Sequence, residues 1–247
     1  MGLTVGEAWL RRDEPKSPEM VGRFRVALAQ LERGVPFAYA TGRVGFRALD
    51  LPIDPRALIP RPETEGLVAL VLRHAQGGRA ADIGTGSGCI ALALATEGSF
   101  DRVIAVERSP EAAALARANV ALVRPRTPVE IREGDLLAPL AGSRFRAIVA
   151  NPPYLTEDEY DGLAPSVREF EPRDALVSGP DGLAATRRLL AGAARLLEPG
   201  GVLALEIDER RGDAVCALAD THGWAQIDVH DDIFGRPRYV LAFPREG

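Results

Sequence analysis

The 247-residue sequence lacks any apolar run near the roughly 18 residues a membrane-spanning helix needs, which excludes an integral helical membrane protein. Its amino terminus, Met1 to Arg12, carries no apolar leader stretch. Cysteine is nearly missing. Cys89 and Cys216 stand far apart within apolar helical patterns, which excludes a disulfide scaffold and points to a reduced, cytoplasmic chain. Histidine is almost as scarce: His74, His222 and His230 are dispersed without metal-ligand spacing, surface helix ends account for them, and no metal is expected. A positive surplus is also lacking. Thirty Lys and Arg against 35 Asp and Glu give a net charge of −5, so nonspecific attraction to a nucleic-acid backbone offers no argument for such a partner. There is no internal repeat, no low-complexity tract and no Ser–His–Asp constellation.

What is present is the composition of a globular domain with a real core, 46% hydrophobic and 26% charged. The length suits one sizeable domain and a small appendage. Up to about Arg33 the chain reads as one or two helices, with Val21, Phe24, Leu28 and Leu31 at helical spacing and Ser17-Pro18-Glu19 as a capped start. Alternation from Gly42 to Ile53 predicts a β-hairpin, and the prolines at 52, 55, 60 and 62 an extended connection. Beyond Glu63 helical and strand patterns alternate, as in a parallel α/β sheet. Helices are predicted at 63–74, 89–96, 110–122, 181–197 and 211–222, the fourth closed by Glu198-Pro199-Gly200-Gly201. Strands are predicted at 79–83, 103–106, 129–131, 145–150, 202–207, 227–229 and 239–243.

Ala81-Asp82-Ile83-Gly84-Thr85-Gly86-Ser87-Gly88-Cys89 stands between an apolar strand and an apolar helix. Its alternate glycines remove the Cβ atoms that would block a ligand at the carboxyl end of a strand. Alone this is a weak signal, equally a tight strand–helix turn. The next strand ends in Glu107, whose carboxylate can accept bonds from both ribose hydroxyls of a nucleoside. Together they point to an adenosine-containing cofactor. The spacing is not the Gly-x-Gly-x-x-Gly of NAD sites, and Asp82 could receive the cationic amino end of a methionine moiety, so S-adenosylmethionine is favoured. Asp135 could take the adenine amine, with Leu136 against the ring.

Asn151-Pro152-Pro153-Tyr154 follows the strand ending at Ala150. Consecutive prolines hold the chain extended and supply no N–H, while the Asn151 side chain adds a carbonyl acceptor. Two acceptors can grip both hydrogens of a planar –NH₂ group and aim a poorly nucleophilic nitrogen at a methyl group, with the Tyr154 ring stacked on the π-system. A rigid turn is the bland alternative for Asn-Pro alone.

Together with Ile53-Asp54-Pro55-Arg56-Ala57-Leu58-Ile59-Pro60-Arg61-Pro62-Glu63-Thr64-Glu65, Phe170-Glu171-Pro172, Gly182-Leu183 and Asp231-Ile233-Gly235-Arg238-Tyr239, these motifs resemble the release-factor glutamine methyltransferase (PrmC/HemK) family over roughly residues 34 to 243. The resemblance implies a Rossmann-like methyltransferase domain with a mostly parallel seven-stranded sheet and a reversed last strand. It implies that Gly84, Thr85, Gly86, Ser87, Gly88, Glu107 and Leu136 surround the cofactor, with Asp82, Asp135 and Asn151 adjoining. Asn151, Pro152, Pro153 and Tyr154 would hold the substrate glutamine, bordered by Arg61, Pro62 and Glu63. The expected reaction moves a methyl group from S-adenosylmethionine to the Gly-Gly-Gln glutamine of a peptide-chain release factor, leaving S-adenosylhomocysteine. Family members usually begin with a longer helical docking domain; here residues 1–40 would be an abbreviated docking segment and 41–247 the hairpin plus methyltransferase domain. A monomer is expected. Rival readings are a nucleic-acid amino-methyltransferase with the same Asn-Pro-Pro-Tyr device, a glutamine methyltransferase acting on a ribosomal protein, and a non-catalytic binding module.

Overall fold

A computed structural model describes residues 13–245, so the expectations for residues 1–12 lie outside the described residues. Helix α1 (Pro18–Glu32) starts as its sequence predicts, with the Ser17 hydroxyl accepting from the Met20 N–H and Pro18 in the first turn. Its apolar positions do not find a core: no residue of α1 is buried, and Phe24 is 66% exposed. The short α2 (Phe37–Thr41) ends on Gly42 in the left-handed conformation and leads into the hairpin of β1 (Arg43–Phe46) and β2 (Leu49–Pro52).

The rest of the chain builds the α/β unit. It runs α3 (Pro62–His74), β3 (Arg79–Ile83), α4 (Cys89–Glu97), β4 (Arg102–Glu107), α5 (Pro110–Val123), β5 (Val129–Glu133) and β6 (Phe145–Ala150). Then come the short α6 (Glu157–Asp161) and α7 (Pro165–Arg168), α8 (Ala184–Ala193), β7 (Leu197–Glu206), α9 (Gly212–Thr221), β8 (Gln226–Asp231) and β9 (Pro237–Phe243). The seven-stranded sheet has the order β5-β4-β3-β6-β7-β9-β8; β9 alone runs antiparallel to both its neighbours.

Side-chain alternation splits the strands between two cores. Ala80, Val103, Ala105, Ala147 and Val149 face α3 and α4, whereas Ala81, Ile104, Val106, Ile148 and Ala150 face α8 and α9. Helix α4 is buried at every residue from Cys89 to Ala95, as an apolar-all-round pattern requires. The order reverses between β3 and β6, so the carboxyl ends of those strands frame a crevice.

Three expectations change. The helix predicted at 181–197 is α8, starting only at Ala184 and giving way to a 3-10 turn at Ala194–Leu196. Its start is delayed because Gly182 has φ +72° and lies so close to the Tyr154 carbonyl that a Cβ would stand 2.4 Å from it. Glu198 to Gly201 do end the helix, yet they already belong to β7, which carries an irregular register against β6 before Val202. His230 lies in strand β8 rather than at a helix end, and its ring stands 6.2 Å from that of His74, so these two histidines are not dispersed. Among the described residues no helix is long and apolar enough to cross a membrane, and no group of three or more His, Cys, Asp or Glu is placed to hold a metal ion.

Candidate active site

A cavity of about 870 Å³ opens where β3, β4 and β6 end. Its floor is the glycine loop. Gly84, Gly86 and Gly88 all have positive φ, between 54° and 84°, which explains why glycine stands at each. The loop is tied down by backbone bonds: Gly84 and Thr85 donate to the Val106 carbonyl at 2.8 and 3.0 Å, and Gly88 donates to Thr85 at 2.8 Å. A Cβ added to Gly84 would meet nothing within 4 Å, so the loop presents bare backbone to open space.

Glu107 ends β4 beside that loop. One carboxylate oxygen accepts from the Gly86 N–H at 2.9 Å, and the other from the N–H groups of Arg108 and Ser109 at 2.8 and 2.9 Å. The residue is thus fixed as an anionic acceptor on the cavity wall, as a ribose diol would need. Asp135 and Leu136 line the same wall. Asp135 accepts from Arg188 at 2.7 Å, and Leu136 holds φ +48°, an uncommon conformation for a branched residue and a local strain of about 1–3 kcal/mol.

Asp82 is placed differently from the expectation. It is fully buried beneath the loop and does not line the cavity; Oδ2 accepts from the Thr85 hydroxyl at 2.5 Å and the Ala91 N–H at 3.0 Å. Burial pushes its carboxyl up to about 7, against the lowering effect of those two bonds. Its visible work is to hold the loop to the start of α4. Asn119, which stands in no sequence motif, does similar work from α5: it is buried and donates to the Ser87 carbonyl at 2.8 Å and the Pro52 carbonyl at 3.1 Å.

On the β6 side, Asn151 and Pro153 line the cavity, whereas Pro152 is buried and neither it nor Tyr154 is on the wall. Successive residues of an extended segment point opposite ways, which explains the split. The Tyr154 N–H bonds the Leu176 carbonyl at 3.1 Å, and burial pushes its hydroxyl up to about 12, with Glu206 nearby adding to the shift. Asn151 Nδ2 donates to the Thr64 hydroxyl at 3.1 Å, and Oδ1 accepts no bond from the described residues. Arg61 reaches the cavity and pairs with the buried Glu171 at 2.6 Å. Glu63 does not line it, and contributes instead its carbonyl to the Tyr239 hydroxyl at 2.5 Å.

Thr64 and Glu206 were not legible as site residues, although Thr64 sits inside a quoted motif. Both are buried, and the Thr64 hydroxyl donates to Glu206 Oε2 at 2.7 Å. Burial pushes Glu206 up to about 7, opposed by the Thr64 bond, by Arg238 and by a hydrogen bond from the Asn151 side chain.

The residues present fit an S-adenosylmethionine-type ligand: a bare-backbone floor, a carboxylate at the ribose-reading position, and a side wall with a carboxylate and an apolar side chain. Residues 64–165 match the family model "Methyltransferase small domain". The release factor glutamine methyltransferase of Moorella thermoacetica is 44% identical over 248 residues, covering 99% of this chain and 87% of that one. The enzyme of the same name from Xylella fastidiosa is 41% identical over 244 residues, covering 97% and 88%. The crystal structure of a methyltransferase from Pyrococcus furiosus superposes with a TM-score of 0.60 at 20% identity, covering 92% of this chain and 98% of that one, a likeness of fold alone.

Proposed function

The chain belongs to the release factor glutamine methyltransferases, and from that premise we infer how its cavity divides the labour of one reaction. The enzyme methylates the side-chain amide of a glutamine in a peptide-chain release factor, with S-adenosylmethionine as donor. The glutamine is that of the Gly-Gly-Gln tip, and the enzyme works as a cytoplasmic monomer. Bound in the cavity, S-adenosylmethionine would supply a sulfonium methyl group as electrophile. Gly84 to Gly88, Glu107, Asp135 and Leu136 are the residues that would hold it.

The observation that carries the reading is Asn151, a cavity-wall amide whose donor is engaged by Thr64 while its acceptor takes no bond from the described residues. That acceptor takes one hydrogen of the substrate –NH₂. Held so, the nitrogen is fixed in direction, which replaces a search in solution by a single geometry. No general base is required, because the methylated amide loses its extra proton to water after transfer.

Residues 1–40 form the docking segment, and the exposed apolar stripe of α1 is the surface that meets the release factor. The test uses purified enzyme, S-adenosylmethionine and a purified release factor, with the Gly-Gly-Gln peptide read by mass spectrometry. One methyl group on that glutamine is expected. An unmodified glutamine there, with label on RNA or on a ribosomal protein when a cell extract replaces the release factor, would refute the assignment.

A further inference from the structure

We propose that Thr64 and Glu206 are positioning residues that fix which end of the Asn151 amide faces the substrate. The inference rests on the functional reading above and deepens it. An asparagine amide has two orientations of nearly equal shape and opposite chemistry. With Oδ1 toward the substrate it accepts a hydrogen of the target –NH₂. Flipped, it presents two donors to a group that is itself a donor, and the grip becomes a repulsion. Something must decide between them, and the prolines that follow cannot, because they constrain the backbone rather than the side chain.

The deciding groups come from three elements that converge at one point. Thr64 lies in the first turn of α3, Glu206 is the last residue of β7, and Asn151 follows β6, whose Ala150 pairs with Leu205 of β7. Thr64 and Glu206 are 2% and 1% exposed, so water cannot substitute for either. The polarity of the chain of bonds follows from proton counting. A carboxylate only accepts, so the single hydroxyl proton of Thr64 goes to Glu206 Oε2, at 2.7 Å. Spent in that direction, the Thr64 oxygen can only accept from its other neighbour, and the group it receives is Asn151 Nδ2, at 3.1 Å. Glu206 also bonds the Asn151 side chain, so Nδ2 is drawn inward by both groups and Oδ1 is left for the cavity.

Protonating Glu206 would undo this logic, because a carboxylic acid can donate to Thr64 and let the hydroxyl turn toward Oδ1. Arg238 and Glu63 face Glu206 with opposite effects, and Tyr154 and Tyr239 sense its charge. Burial outweighs them and brings its titration up to about 7, within reach of an ordinary pH series.

The experiment measures single-turnover methylation of a purified release factor, with cofactor affinity by calorimetry and melting temperature as controls. Thr64→Val keeps the shape and removes the acceptor; it should lower the transfer rate by at least about tenfold while cofactor affinity stays within about twofold, as misorientation near the reacting atoms predicts. Thr64→Ser should recover most of the loss. Wild-type transfer should fall as pH is lowered through about 7, and Glu206→Gln should flatten that acid limb. A Thr64→Val enzyme with wild-type transfer rate, or one whose rate and cofactor affinity fall together, overturns the proposal. Should that variant not fold, an acid limb unmoved by Glu206→Gln overturns it equally. An inactive wild type would instead sink the functional reading and this inference with it, so the two failures are distinct.

Discussion

The two sides of the cavity are finished in opposite ways. On the β3–β4 side the loop backbone is tied down: the glycine loop hangs from Val106, Glu107 spends both oxygens on three backbone N–H groups, and Asp82 Oδ2 clamps the loop from below, while Asp82 Oδ1 and Asn119 Oδ1 stay buried without a partner among the described residues. On the β6 side a strand ends in an acceptor left open, with all the bonding placed behind it. A cofactor that returns in the same shape every cycle is best met by a rigid, preorganised surface. A substrate side chain delivered by another protein is best met by a vacant acceptor whose direction is set from the rear.

The largest break in this comparison should come from Asn151→Ala, which removes the open acceptor and nothing from the closed side. Transfer in single turnover should fall roughly 100-fold or more, while calorimetric cofactor affinity stays near wild type. A wild-type transfer rate would show that Asn-Pro-Pro-Tyr is only a turn. The reciprocal variant, Glu107→Ala, should weaken cofactor binding by about 1–3 kcal/mol, the range for losing a charged hydrogen-bond partner. It also frees three backbone N–H groups, so some loop order goes with it. Unchanged cofactor affinity in that variant would remove Glu107 from the cofactor side.

The two sides also differ in how far the sequence exposed them. The closed side is written locally: three glycines within five positions, a strand before and a helix after, and a carboxylate at the next strand end. Most of the sheet was legible for the same reason, since alternation and apolar runs are local signals. The support of the open side is not local. Thr64 reaches Asn151 across 87 positions and Glu206 across 142, and no spacing rule links residues that only the sheet order brings together. Asp82 was legible as important, but its burial was not, and so its contact with a cofactor ammonium was expected where the structure shows an anchor. The late start of α8 has a similar origin, because the crowding of Gly182 against Tyr154 and Arg211 is tertiary.

Asp82 offers a smaller effect that separates anchor from contact without any cofactor present. Its carboxyl is held near 7 in the folded protein, against an ordinary value of 3.8. Between about pH 4 and 7 the folded state therefore keeps a proton that the unfolded chain has released, and this group's contribution to stability declines as pH rises through that window. Asp82→Asn keeps the shape and cannot titrate. The difference in melting temperature between variant and wild type should therefore move in the variant's favour from pH 4 to pH 7. Parallel stability curves across that range would show that the buried carboxyl does not carry the shift.

The smallest effect concerns a surface that belongs to neither side. Helix α1 buries none of its residues, yet Met20, Phe24, Leu28 and Leu31 recur along it at helical spacing and are all exposed. A solvated helix has no need of such a stripe, and a helix of this length is marginal by itself. The proposed docking of the release factor would account for both facts, with the stripe covered in the complex. Phe24→Asp should then leave the enzyme's own stability within about 0.5 kcal/mol, as expected for a surface position, because the ring is 66% exposed. Cofactor affinity should not change, and neither should methylation of a short Gly-Gly-Gln peptide, which reaches the cavity without touching α1. For the intact release factor KM should rise about fivefold, corresponding to about 1 kcal/mol of lost contact, with kcat held. The ratio of the two substrates is the decisive reading. If Phe24→Asp changed KM for peptide and intact factor alike, the loss would lie in the cavity, and α1 would have no part in docking.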